Sequence, residues 1–407
     1  MRLCRRSAWS TITSQPATVI HNFIEFFNPF FRNPMISLRS IRLHVLLFLS
    51  FIPLFLWAQT GPTRMSPYLQ AVTPHSIYVL VESSWSQPVT VEYGKTTPYD
   101  KNAQTESHEQ TTEGTYVHNI QLSGLDPNTT YHYRARQGGD VSADASFRTA
   151  PNPGTPFRFV WLADFRTNVS VHDSFSLLAA NAQPLMALYG GDLCARSTYA
   201  SFKEEFFRPN ELAFIARVPF FNAPGNHEGW KQNTKAFTQS PASPSGTQDY
   251  YSFDYGDVHV LMLNNEIPYD EASPQFKFAQ EDLARTTKPW KIVGAHRPAY
   301  CAGGHNEDAR MKKMTVRVFE PNHADLVLGG HTHFFQHNLV NGIHHFVLGS
   351  VGAPLYNVGS APYVVKSAKE YNYGVFDITP TSLILNVYNE KNVLLDSLTL
   401  NKPPRSL

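Results

Sequence analysis

Five short apolar runs along the chain each stop at a residue with metal-ligand chemistry. The run 157–163 stops at Asp164, 184–191 at Asp192, 290–295 at His296 and 324–330 at His331, with His333 two positions on. The run 218–221 leads into Gly225-Asn226-His227-Glu228 near the middle of the chain. Continuous apolar stretches this short, bounded by Gly and Pro, predict strands buried on both faces. Helical spacing covers 172–181, 199–214, 273–286 and 306–319. Residues 250–264 read as a hairpin turning at Gly256-Asp257. The tail segments 373–378, 382–388 and 393–400 read as antiparallel strands that close a second sheet.

Residues 61–150 have no helical period. The segments 76–82, 89–93 and 116–122 read as strands. The turn Asp126-Pro127-Asn128, followed by Tyr131 and Tyr133, has the form of a tyrosine corner. Short strands at this spacing predict a β-sandwich. Asn128-Thr129-Thr130 has a glycosylation pattern, which in a turn is also ordinary turn chemistry. Ala150-Pro151-Asn152-Pro153-Gly154-Thr155-Pro156 is a Pro/Gly-rich linker. Beyond it, 157–400 alternates strands and helices.

The first 58 residues differ in kind. Segment 41–57 is almost wholly apolar, with Arg39 and Arg42 at its front and Ala58 directly after it. Its core of about 15 residues is short for a membrane span of roughly 20. A basic start, a short apolar middle and a small final residue describe a secretory signal peptide. We therefore expect a signal over 35–58, starting at Met35, with 1–34 an over-extended upstream segment. The mature protein would be secreted or periplasmic, with no membrane partner once the signal is removed. Without 1–58 the chain loses six basic residues and one acidic, leaving 28 and 32. Neither that balance nor the full chain's net charge of +1 provides the basic field that nucleic acid requires. The length of 407 residues suits two or three domains. Cys194 and Cys301 each follow a ligand motif; they read as isolated thiols or as a pair across the site mouth.

Layered α/β proteins bind ligands just outside the carboxyl ends of their strands. The five runs would thus deliver Asp164, Asp192, Asn226, His296, His331 and His333 to one edge of a sheet. Hard oxygen and imidazole donors suit Zn, Mn or Fe. Six such residues exceed one tetrahedral site and imply two ions.

Asp164, Gly191-Asp192, Gly225-Asn226-His227-Glu228, Val293-Gly294-Ala295-His296 and Gly330-His331-Thr332-His333 stand in an order that resembles the calcineurin-like metallophosphoesterases. The nearest branch looks like the purple acid phosphatases, and the likeness covers 61–400. It implies a fibronectin type III-like all-β sandwich over 61–150, then an α/β/β/α four-layer sandwich over 157–400. It also implies that Asp192 bridges two divalent or trivalent ions. Asp164 and His333 would complete the first site, and Asn226, His296 and His331 the second. His227 would face the leaving group, His305 the phosphate, and Glu228 would orient His227 or a ligand.

Two positions depart from the pattern. Purple acid phosphatases carry a ligating Tyr three residues after the bridging Asp, where this chain has Ala195. Other members carry His two residues after the first Asp, where this chain has Arg166. Arg166 either binds phosphate directly, as a guanidinium fork can, or holds Asp164 from behind. Tyr199 is a candidate replacement for the missing Tyr, and His172 a candidate additional ligand. The expected function is hydrolysis of a small phosphate monoester by metal-bound hydroxide at a dinuclear centre. A phosphodiesterase or nucleotidase, and a metal-depleted phosphate-binding protein, are the alternatives.

Overall fold

Phe157–Leu162 (β1) is buried at every position except Arg158, the pattern of a strand covered on both faces. It belongs to a computed structural model that describes residues 61–403 of 407. The expectations for 1–34 and 35–58 lie outside the described residues. Among the described residues, no helix is long and apolar enough to cross a membrane.

β1 pairs in parallel with Met186–Tyr189 (β2), and β2 in parallel with Phe220–Asn222 (β3). This trio is the centre of a ten-stranded sheet. Trp290–Gly294 (β4) and Leu326–Gly329 (β5) pair with each other in a separate seven-stranded sheet. The five ligand-bearing strands are therefore split between two sheets rather than sharing one edge. Their inner faces meet in a common core that includes Phe159, Trp161, Leu188 and Phe221 from one sheet and Met262, Ile292 and Leu328 from the other. Trp161 Nε1 donates to Leu348 O at 2.9 Å across that core.

The tail strands Asn372–Ile378, Ser382–Asn389 and Leu394–Asn401 do not close a second sheet. They extend the first, antiparallel beside β1, with Arg158 opposite Asp377. The physical reason is visible at that pair. Arg158 donates to both carboxylate oxygens of Asp377 at 2.8 and 2.9 Å, which fixes register where two apolar strands would otherwise slide.

On β3's other side, Tyr68–Gln70 pairs in parallel, with Gln70 opposite Phe220. Ser76–Ser83, Tyr116–Ser123 and Ser107–Gln110 continue the same sheet. The remaining leading strands form a five-stranded sheet, in which Asp126 N donates to Tyr131 Oη at 3.0 Å, the bond of a tyrosine corner. Fully buried Glu82 ties this region to the next, accepting from Lys203 Nζ and Tyr199 Oη, both at 2.7 Å.

Helices cover the outer faces. Val169–Asn181 (α1) buries Val171, His172, Phe175, Ser176 and Ala179, a helical stripe, against the ten-stranded sheet. Pro274–Arg285 (α2) packs Phe276, Ala279 and Leu283 against the seven-stranded one. The continuous helix expected over 199–214 is broken into Tyr199–Ser201, a π-helical Phe202–Phe206 and Pro209–Ile215. Pro209 donates no N–H and holds Arg208 extended, so the helix must restart. The helix expected from 306 begins at Ala309, because Asp308 caps it by accepting from Arg310 N and Met311 N.

Candidate metal centre

The ligand loops meet because two glycines let their backbones touch. A Cβ on Gly191 would sit 2.4 Å from Gly225 N, and one on Gly225 would sit 2.2 Å from Asp192 N. Asp164, Asp192 and His331 all have positive φ, at 56°, 53° and 67°, a strain that persists only where surroundings fix it. Here Asp164 N donates to Gly191 O and Phe165 N to Asp192 O, both at 2.9 Å. Glu228 Oε1 accepts from Asp192 N at 3.1 Å and Gly225 N at 2.7 Å. Glu228 thus fixes the Asp192 loop through Oε1, while its Oε2 is buried without a hydrogen-bond partner. Burial, then the nearby Asp192 charge, push its carboxyl up to about 8.

The second site forms around His296 Nε2. His296 Nδ1 donates to Gly190 O at 2.7 Å, so Nε2 carries the lone pair. It faces Asn226 Oδ1 at 3.2 Å, His331 Nδ1 at 3.2 Å and Asp192 Oδ1 at 3.4 Å. Ligand atoms bound tetrahedrally at about 2.1 Å lie roughly 3.4 Å apart, so this spacing fits one ion. Burial lowers the pKa of both His296 and His331, which favours neutral imidazoles with one lone pair each.

The first site gathers Asp164, Asp192 and His333, whose ligand atoms lie within 4.8 Å of one another. Asp164 Oδ2 is buried without a hydrogen-bond partner, and burial followed by the Asp192 charge raises its pKa well above the carboxylate range. His333 donates from Nδ1 to Pro354 O at 2.8 Å, leaving Nε2 to accept, and burial pushes its pKa down to about 3. The donor set fits a cation. Arg166, however, reaches into it, with Nε 3.2 Å from Asp192 Oδ2 and Nη2 3.4 Å from His333 Nε2. Arg166 therefore contacts Asp192 and His333, and not Asp164 as the sequence allowed.

His227 donates from Nδ1 to Ala195 O at 2.9 Å, so the position lacking the family's Tyr supports His227 through its carbonyl. His227 N donates to Asp192 Oδ1 at 3.0 Å, and its side chain is 32% exposed. His305 stacks on His331 with ring centroids 4.3 Å apart.

Two candidates stand elsewhere. His172 is buried against Glu205 O and Glu211, because it lies on the core face of α1. Tyr199 is held by Glu82. Cys194 and Cys301 are each free and buried.

Sequence reasoning missed Glu205, Tyr356 and Arg297. Glu205 accepts from Thr167 N at 2.7 Å and from Ala195 N at 3.3 Å, which clamps two site loops. Tyr356 stacks on His333 at 4.6 Å. Arg297 places Nη1 3.4 Å from His331 Nε2. Only Arg297 carried a signal, standing directly after a ligand.

Residues 162–335 match the calcineurin-like phosphoesterase family, and residues 62–149 match the purple acid phosphatase N-terminal domain. The chain carries a calcineurin-like phosphoesterase domain behind a purple acid phosphatase N-terminal domain. Purple acid phosphatase 23 of Arabidopsis thaliana is 26% identical over 292 residues, 61% of this chain and 63% of the relative. Purple acid phosphatase 21 of the same plant is 29% identical over 271 residues, 60% of each chain. The chain thus spans about 60% of the length of these relatives. The purple acid phosphatase PPD1 from yellow lupin (Lupinus luteus) seeds superposes with a TM-score of 0.72 at 19% identity, covering 84% of this chain and 74% of its own. At that identity the likeness shows the fold. All six candidate ligand residues lie within the matched segment 162–335.

Proposed function

We propose that the chain hydrolyses phosphate monoesters at a dinuclear metal centre, as an acid phosphatase-like enzyme acting outside the cytosol. One observation carries this reading. Asp192 Oδ1, Asn226 Oδ1 and His296 Nε2 point lone pairs at a common space, with His296 Nε2 3.2 and 3.4 Å from the two oxygens, and the His296 proton is committed to Gly190 O. Facing acceptors in a buried place call for a cation. Asp164, Asp192 and His333 would hold one ion, and Asp192, Asn226, His296 and His331 the other, with Zn, Mn or Fe suited to the donors. When bound, such ions polarise phosphoryl oxygens and lower the pKa of water.

The chain's own residues do the rest. His227 is anchored at Nδ1 by Ala195 O and holds Nε2 3.8 Å from Asp192 Oδ2 on a part-exposed side chain, where it can protonate a leaving oxygen. His305, stacked on His331, lines the approach of the phosphate. The same reading takes 61–150 as a fibronectin type III-like sandwich and 157–400 as a four-layer α/β/β/α sandwich. The corner bond at Tyr131 and the helices outside both sheets support it. The apolar segment 41–57 supports export.

The test is hydrolysis of an aryl phosphate and of a bis-aryl phosphate by the purified chain supplied with Zn, Mn or Fe, beside Asp192→Ala and Asn226→Ala. Monoester turnover lost in both variants, with circular dichroism unchanged, is the expected result. Faster diester cleavage would move the assignment to a phosphodiesterase. Metal binding without any turnover would move it to a phosphate-binding protein.

A further inference from the structure

We propose that Arg166 is a built-in competitor for the first ion. The chain then holds one ion firmly at the second site, and admits another only when the guanidinium leaves. This rests on the metal-centre reading above and concerns how that centre is filled.

The argument is one of lone pairs. The first site has three protein donors, Asp164, Asp192 and His333. Arg166 Nε donates to Asp192 Oδ2 at 3.2 Å, and Nη2 faces His333 Nε2 at 3.4 Å. An imidazole nitrogen has a single in-plane lone pair, and His333 can offer only Nε2, because its Nδ1 proton is engaged by Pro354 O. An ion on His333 Nε2 would need the electrons that Arg166 now uses. It would also set two cations against the same carboxylate oxygen. Guanidinium and first ion therefore exclude each other in this arrangement, and the second site is untouched, since Asp192 faces it with Oδ1 and not Oδ2.

The surroundings hold Arg166 in this role. Its side chain is 12% exposed. Next to it, Thr167 N is fixed by Glu205 and Phe165 N by Asp192 O, so the backbone cannot carry the guanidinium away. Nη1 also lies 3.4 Å from Thr167 Oγ1. A guanidinium has five N–H donors. Three are spent on Asp192, His333 and Thr167, and the other two remain for phosphoryl oxygens. Arg166 thus supplies the positive charge that the first site lacks without an ion, while still able to grip phosphate.

Metal content per chain and calorimetric titration of metal-free full-length protein with Mn²⁺ test this without measuring turnover. The wild-type chain should bind one equivalent tightly and a second at least 10-fold more weakly. Arg166→Ala and Arg166→His should each bind two equivalents of comparable affinity. With Mn²⁺ loaded, electron paramagnetic resonance should show an isolated ion in the wild type and a spin-coupled pair in Arg166→His. Two equally tight ions in the wild type, unchanged by either substitution, would overturn the proposal and leave the metal-centre reading standing. No ion bound by any of the three proteins would overturn both.

Discussion

Glu228 offers the sharpest test of how the centre is held together. Its side chain is fully buried, and Oε1 alone accepts from Asp192 N and Gly225 N. These two N–H groups lie on the two loops that carry Asp192 and Asn226. Glu228→Ala would strand both donors in the interior. Each buried unsatisfied donor costs about 1–3 kcal/mol, so the pair costs about 2–6 kcal/mol, with the lower end reached if water enters the vacated space. Against a total stability of about 5–15 kcal/mol, that is a large loss. Glu228→Gln keeps an acceptor at the Oε1 position and should cost less than about 1.5 kcal/mol. Urea denaturation of the metal-free proteins measures both, and calorimetric titration with Zn²⁺ should show Glu228→Ala binding more weakly than Glu228→Gln. Equal stability of Glu228→Ala and wild type, or an equal cost for Ala and Gln, would refute the reasoning.

Three further outcomes are expected. Gly191→Ala should lose at least about 2 kcal/mol in urea denaturation, since its φ of 82° and the 2.4 Å approach to Gly225 N both reject a methyl group; an unchanged midpoint would contradict the loop packing. His227→Ala should lower kcat about 10²–10⁴-fold on an alkyl phosphate and less on an aryl phosphate, whose leaving group needs no proton, with metal content unchanged; equal losses on both substrates would remove its role as acid. His259 sits between Asp254 and Asp282 at 2.9 and 2.7 Å. Burial alone would lower its pKa, but the two carboxylates outweigh burial and raise it. Its stabilisation is then fully present below the unfolded value of about 6.5 and is lost as pH climbs through the raised folded value. The stability gap between wild type and His259→Gln should be widest in acid and should narrow with rising pH; a gap that widens would refute it.

The candidate ligands could be picked out because each follows the end of a buried strand, where layered α/β proteins bind ligands. Which sheet each strand joins was not legible. β1, β2 and β3 have the same apolar character as β4 and β5, and only distant partners such as Asp377, facing Arg158, decide the neighbours. The helix breaks could be read in part: Pro209 announces one, whereas nothing in Thr315–Phe319 marks its π-helical turn. Arg166 stood out as an oddity two residues after Asp164, but its target is Asp192, 26 positions away. Glu205 was silent because its work is done through backbone N–H groups of other loops, which leave no trace in residue spacing.

The parallel pairing of Tyr68–Gln70 with β3 makes the leading β region something other than a detachable accessory. A chain started at residue 157 would leave the outer side of β3 without its partner, baring backbone donors and acceptors next to Phe220 and Phe221. Open apolar strand edges of this kind recruit strands from other molecules and drive aggregation. A chain shortened to 157–407 is therefore expected to be less soluble than the full chain, because the two regions share one sheet.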